Sequence, residues 1–260
     1  MDPGLPTGGL GEDAGPGPWG LVSIIIPALN EAPAIGDTLA SLARQAPPWE
    51  VIVADGGSED GTPGVVAEDM PEASVIAPGR GRARQMNAGA AVATGDILLF
   101  LHADTRLPEG ALAAVRAALA DPAAAGGCFR TAFDLGAAPT GAEAFGPAGR
   151  AFMRLWEARL WMQWHRFAFG DRALFARRPA FDAVGGFPRQ PIFEDLDFVR
   201  SLRRHGRFLF LDAEVTTSAR RYRRHGALRQ QLRNLGLWTA WNAGVPPRRL
   251  KPFYSDHDRG

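Results

Sequence analysis

The stretch Ile97-Leu98-Leu99-Phe100-Leu101-His102-Ala103-Asp104 decides the fold. Five consecutive apolar residues follow Gly95-Asp96 and stop at a polar break. This is the pattern of a short strand covered on both faces, as strands are in parallel sheets, and it predicts the sheet centre. In open α/β sheets ligands sit beyond the carboxyl ends of the strands, so His102, Ala103 and Asp104 are predicted at the rim of a crevice. Taken alone, Asp104-Thr105 also reads as a turn that caps a helix starting near Pro108.

Working outward, Val22 to Ile26 is a second β-branched run, closed by Pro27 and followed by Asn30-Glu31. A helical pattern opens at Pro33 and stops at Pro47-Pro48, and Val51 to Ala54 then runs into Asp55-Gly56-Gly57-Ser58-Glu59-Asp60-Gly61-Thr62. A helix through Val65 and Val66, a strand at Ser74 to Ala77 and a helix from Gly81 to Thr94 complete the alternation. Strands alternating with helices in this way predict an α/β fold with a doubly wound, mostly parallel sheet. Beyond a helix from Pro108 to Ala120 the reading gives strands at Gly126 to Phe133 and Ala173 to Arg177 and a helix at Glu194 to His205. Two strands follow, Arg207 to Leu211 and Val215 to Thr217, then a closing helix at Leu228 to Ala243.

The chain has 260 residues, 46% of them apolar, enough for one substantial core, with a net charge of +1. Residues 1–20 read as a disordered leader, 21–245 as one domain and 246–260 as a tail. The leader has neither a basic n-region nor an apolar h-region, and no apolar run reaches the roughly 20 residues of a membrane span. The single cysteine, Cys128, fits a reducing compartment, so a cytoplasmic location is expected. Charge is uneven: from Arg200 to Lys251 thirteen basic residues face only Asp212 and Glu214. Balanced overall charge argues against nucleic acid as partner. The arginines at 220, 221, 223 and 224 and the aromatic residues Phe152, Trp156, Trp161, Trp164, Phe167 and Phe169 leave peripheral membrane contact open.

Three polar clusters, Asn30-Glu31, Asp55 to Ser58 and His102 to Asp104, follow three strands and would line one edge. Asp55 can accept from a ribose hydroxyl or a base, glycine lets backbone approach a ligand, and Ser58 heads a helix whose N-terminus favours anions. With VSIIIPALNE at Val22 to Glu31, DGGSEDG at Asp55 to Gly61, LFLHADT at Leu99 to Thr105 and Phe193-Glu194-Asp195, the chain resembles the inverting family 2 glycosyltransferases of GT-A fold. The HADT wording and Phe169-Gly170-Asp171-Arg172 resemble the branch named for arsenosugar biosynthesis.

The resemblance implies one Rossmann-like GT-A domain that moves a sugar from a nucleotide-diphosphate donor, with uridine diphosphate first among them, to a hydroxyl acceptor. It implies that Pro27, Asn30, Glu31, Asp55, Gly57, Ser58, Arg80, Arg82, Arg84 and Ala103 meet the donor. Asp104 and His102 would hold Mn²⁺ or Mg²⁺, His102 standing where the family's metal motif has its first aspartate. An imidazole there favours Mn²⁺. His205 and His225 are the histidines available for a further contact. Asp195 would be the general base and Glu194 would position the acceptor, with Gly170, Asp171, Arg172 and Trp164 on the acceptor side. Two other readings remain: a binding module without catalysis, which His102 would permit, and a dinucleotide-binding oxidoreductase. For the latter, Gly79-Arg80-Gly81 is half of a fingerprint whose third glycine is replaced by Arg84.

Overall fold

In the computed structural model, residues 20–134, 151, 155, 172–220 and 227–254 are described. Strands β1 (Val22–Ala28), β2 (Trp49–Asp55), β3 (Ser74–Ile76) and β4 (Ile97–Phe100) are joined by helices α1 (Ala32–Leu42), α2 (Thr62–Asp69) and α3 (Arg82–Val92). They are followed by β5 (Thr105–Arg106), α4 (Ala111–Ala118), β6 (Ala124–Asp134), β7 (Leu174–Arg177), α5 (Arg178–Val184), α6 (Glu194–Leu202), β8 (Arg207–Ser218), α7 (Ala227–Asn242) and α8 (Pro247–Tyr254). The strands form one sheet in the order β3-β2-β1-β4-β7-β6-β8-β5, in which β5 and β7 run against the other six. The expected mostly parallel sheet is present, and the stretch ending at Asp104 is central.

The all-apolar runs follow from burial on both faces. Ile24, Ile26 and Leu99 pack on one side with Leu39, Leu42 and Val115 from α1 and α4. Ile25, Leu98 and Phe100 pack on the other with Met86, Phe181 and Phe198 from α3, α5 and α6. Phe187 lies against both Phe198 and Phe100, with ring centroids 4.3 and 4.7 Å apart. A third cluster of Ile192, Phe193, Leu196, Leu237, Trp241 and Leu250 fastens α7 and α8 to the start of α6.

Two local readings differ from the structure. The strands expected at Arg207 to Leu211 and Val215 to Thr217 are one strand, because the register with β6 jumps from Cys128 opposite Phe210 to Arg130 opposite Glu214. A bulge absorbs the polar residues that read as a break. The turn at Asp104-Thr105 leads into β5, where Thr105 and Arg106 pair with Thr217 and Thr216 of β8. That pairing fastens the Asp104 loop to the far side of the sheet. Residues 247–254 form a helix with Leu250 buried. Residues 1–19, the Gly/Ala/Pro-rich segment 136–149, the aromatic residues from Phe152 to Phe169, and Arg221, Arg223, Arg224 and His225 lie outside the described residues.

Candidate active site

The site is built at the carboxyl ends of β1, β2 and β4, and α3 is the element that holds its parts together. From its first turn Arg82 donates through Nε to Glu194 Oε1, while its Nη2 lies 3.6 Å from Asp195 Oδ2. One turn on, Gln85 Nε2 donates to the carbonyls of Ala28 and Ala54, 2.8 Å each, at the ends of β1 and β2. Asn87 exchanges two hydrogen bonds with the backbone of Phe187, 2.8 and 2.9 Å, in the loop that leads towards Glu194. Gly89 faces Ile25 of β1, where an added Cβ would meet Ile25 Cγ2 at 2.4 Å. Arg82, Gln85 and Gly89 are spaced i, i+3, i+7, so one face of one helix carries the acidic pair, the strand ends and the sheet contact.

Glu194 and Asp195 are both buried, at 1% and 4% exposure, in the first turn of α6. Carboxylates there complement the positive end of a helix. Burial works against the Arg82 cation, but the charges of Glu194 and Asp195 and the hydrogen bond to Glu194 overcome that and hold its pKa above the ordinary arginine value. Glu194 Oε2 is buried and has no hydrogen-bond partner among the described residues, an arrangement that native interiors seldom leave unexplained. Phe193, just before the pair, has φ of 62°, a left-handed conformation that strains a bulky residue. Its ring packs on Trp241 with centroids 5.1 Å apart, so the third core cluster holds the strained turn in place.

At the other strand ends, Asp55 Oδ2 accepts from the backbone of Gly57 and Ser58, 2.9 Å each, and Oδ1 accepts from Ser58 Oγ at 2.5 Å. Three of about four acceptor positions on that carboxylate are thus taken by its own turn. Gly57 has φ of 95°, which lets the turn close this tightly. Ser58 Oγ also accepts from Asn30 N, and Glu59 N donates to Asn30 Oδ1, 2.9 Å each, which locks the β1 and β2 loops together. Pro27 lies in β1 opposite Ala54. Ala103 is buried, and its carbonyl accepts from Thr38 Oγ1 at 2.9 Å.

Asp104 and Glu31 meet at a second cation. Arg220 Nη2 lies 2.5 Å from Glu31 Oε2 and 3.5 Å from Asp104 Oδ2, carried there by the end of β8, where Ser218 N donates to Asp104 O at 3.1 Å. Burial pushes the Glu31 carboxyl up, and Arg220 only partly offsets it. Burial opposes the Arg220 charge, yet its bonds to the two carboxylates hold its pKa above the ordinary value. Two carboxylates around one cationic group suit a hard divalent ion as a donor set. His102 does not join them in a three-ligand cluster, and the described residues contain no group of three or more His, Cys, Asp or Glu placed to hold a metal. Any cation here would complete its shell from the substrate and water.

Of the arginines assigned to the donor, Arg82 is engaged with the acidic pair, while Arg80 and Arg84 are exposed. Arg172 is buried beside β7, and Gly170, Asp171 and Trp164 lie outside the described residues. Sequence reasoning missed Gln85 and Asn87 as parts of the site, and it did not foresee that Arg220 meets Glu31 and Asp104. The i, i+3, i+7 spacing on α3 was the available signal for Gln85. The family model described as "Glycosyl transferase family 2" matches residues 23–181, more than half of the chain.

The chain belongs to glycosyl transferase family 2. It is 40% identical over 95 residues to a PGL/p-HBAD biosynthesis glycosyltransferase of Mycobacterium tuberculosis (strain ATCC 25177 / H37Ra), covering 34% of this chain and 37% of that protein. It is 29% identical over 212 residues to the beta-monoglucosyldiacylglycerol synthase of Synechocystis sp., covering 75% and 43%. The chain therefore spans less than half the length of these curated relatives. Among solved structures it resembles a mannosyltransferase of Pyrobaculum calidifontis in complex with GDP-Man and Mn²⁺, with TM-score 0.60, 24% identity and coverage of 91% and 71%. It also resembles S. aureus TarS 1-349 in complex with UDP-GlcNAc, with TM-score 0.57, 18% identity and coverage of 90% and 70%. As a member of family 2, the chain has its matched region ending within α5, before the Glu194-Asp195 pair.

Proposed function

We propose that this protein is an inverting glycosyltransferase that moves a sugar from a nucleotide-diphosphate donor to a hydroxyl acceptor. The observation that carries this reading is the buried pair Glu194-Asp195 joined through Arg82 to the helix that also grips the ends of β1 and β2. Asp55, Gly57, Ser58 and Asn30 would cradle the nucleoside, the Asp55 carboxylate fixed in advance by its own turn. Exposed Arg80 and Arg84 would meet the diphosphate. The neighbours bound to GDP-Man and UDP-GlcNAc support a nucleotide-sugar donor, and we take uridine diphosphate as the first to try.

In the reaction, the acceptor oxygen attacks the anomeric carbon from the face opposite the diphosphate. The bond from that carbon to the phosphate oxygen breaks, and its electron pair leaves with the diphosphate. Asp195 takes the proton of the attacking hydroxyl, and a second hydroxyl of the acceptor would donate to Glu194 Oε2, which has no partner among the described residues. Asp104, with His102 two residues before it, would hold Mn²⁺ or Mg²⁺ together with donor oxygens. When bound, such an ion acts as a Lewis acid on phosphoryl oxygen. The mannosyltransferase complex with Mn²⁺ supports that assignment.

The test is Asp195→Asn, assayed for donor binding and for sugar transfer separately. Nucleotide-sugar binding is expected to persist while transfer falls about 10²–10⁴-fold, the usual contribution of a positioned base. Undiminished transfer would remove Asp195 from the mechanism.

A further inference from the structure

Helix α7 carries two faces with different fates. Leu237 and Trp241 are buried against Phe193 and Leu196, beside the acidic pair. Leu228, Leu232 and Leu235 stand on the opposite side, spaced i, i+4, i+7, and are 51–61% exposed. Those three make a continuous apolar stripe along the helix. Phe253 near the end of α8 is 65% exposed, and its carbonyl accepts from Arg233 Nε of α7, which ties the two helices together. Three leucines on one exposed helix face, with exposed Phe253 on the helix bonded to it, mark a place of contact.

The charges around this stripe identify what it meets. Between Ala227 and Tyr254 stand Arg229, Arg233, Arg248, Arg249 and Lys251, with no aspartate or glutamate. Arg229, Arg248, Arg249 and Lys251 are exposed. A second copy of this face would set five cations against five cations. An anionic bilayer would neutralise them while its acyl boundary took the leucines and Phe253. This is the composition of a helix that lies in the interfacial plane of a membrane. No helix among the described residues is long and apolar enough to cross one.

We infer that α7 and α8 form a docking surface for an anionic lipid bilayer, with α7 lying in the plane of the head groups. The buried face of that helix supports Phe193 and the first turn of α6, so one helix carries the docking face on one side and braces the acidic pair on the other. Docking itself needs no transferase chemistry and stands apart from the proposed function.

The test is co-sedimentation of the full chain, without donor or metal, with phosphatidylglycerol-containing vesicles and with pure phosphatidylcholine vesicles. Binding is expected with the anionic vesicles at low salt and about tenfold weaker with neutral ones, as charge attraction is lost. Leu232→Glu with Leu235→Glu is expected to lower binding to anionic vesicles at least about tenfold, the effect of withdrawing a leucine from an apolar medium. Arg229→Glu with Arg249→Glu, which leaves the apolar stripe intact, is expected to do the same at low salt. Failure to bind anionic vesicles at low salt, or equal binding by the parent and a folded leucine variant, would overturn the inference. So would a dimer in the parent that the leucine variant abolishes without any vesicle binding in either, since the face would then belong to a second copy.

Discussion

Arg220 places a guanidinium where the proposed function puts a divalent cation, and removing it has a calculable consequence. Unit charges 3.5 Å apart attract by about 5 kcal/mol at an effective dielectric of roughly 20, and by about 1 kcal/mol in water. The Arg220 side chain is 43% exposed and that of Asp104 21%, so solvent screens the pair towards the lower figure. An ion binding Asp104 in the donor-free protein must displace this contact. Arg220→Gln removes the charge while leaving a polar side chain, and it is expected to tighten binding of Mn²⁺ alone by about 1 kcal/mol, roughly fivefold. Calorimetry or water-proton relaxation enhancement with Mn²⁺ reads the change without any turnover. Asp104→Ala is expected to abolish binding in either background, and Arg220→Lys to behave like the parent. Unchanged or weaker Mn²⁺ affinity in a folded Arg220→Gln protein would refute the view that Arg220 and the metal compete for Asp104.

Three further outcomes are expected from the packing. Gln85→Leu deprives the Ala28 and Ala54 carbonyls of a shared donor and should lower unfolding free energy by about 1–3 kcal/mol, with donor binding weakened in parallel; a urea midpoint like the parent's would speak against the tether. Gly89→Ala forces a methyl group to within 2.4 Å of Ile25 Cγ2, so despite better helix propensity it should cost about 1–3 kcal/mol by chemical denaturation. Glu50 accepts from Ser23 Oγ at 2.6 Å and from Thr94 N at 2.6 Å, and although burial opposes its charge these bonds hold its pKa below the ordinary glutamate value. The unfolded chain therefore binds that proton more readily. The stability Glu50 gives is complete above the ordinary glutamate pKa and is lost as pH falls through the lower folded value, so Glu50→Gln should flatten the acid limb of a stability–pH curve.

What could be read in the sequence is what local pattern encodes. Val22 to Ile26, Val51 to Ala54 and Ile97 to Leu101 are apolar without alternation because both faces of the sheet are covered, and each run fixed a strand and the polar cluster behind it. Glu194 and Asp195 were legible as acids at a helix start. Their partner was not: Arg82 is 112 residues away, and it was assigned to the donor by its position after β3. The contact of Arg220 was hidden in the same way: it stood in a run of arginines open to membrane contact, although the β5–β8 pairing carries it to Asp104. Where a side chain's role depends on which distant strand lies beside it, periodicity holds no signal. The bulge opposite Cys128 and Arg130 was lost because Asp212 and Glu214 look like a break unless the longer pairing is known.

The arrangement on α3 explains why the two halves of the site need not be encoded near each other. Arg82 fixes the charge balance of the acidic pair, Gln85 fixes the strand ends under Asp55, and Asn87 fixes the loop that carries Phe187 towards the pair. All three depend on the depth at which the helix sits on β1, which Gly89 sets against Ile25. Phe193 adds a second dependence, since its left-handed backbone persists only while its ring is held against Trp241 of α7. The acidic pair is thus braced from the sheet side by α3 and from the outer side by the helix whose leucines face away. A change in how α7 is held at its exposed face would reach Asp195 through one ring contact and one strained residue, a path short enough to couple docking to the geometry of the acids.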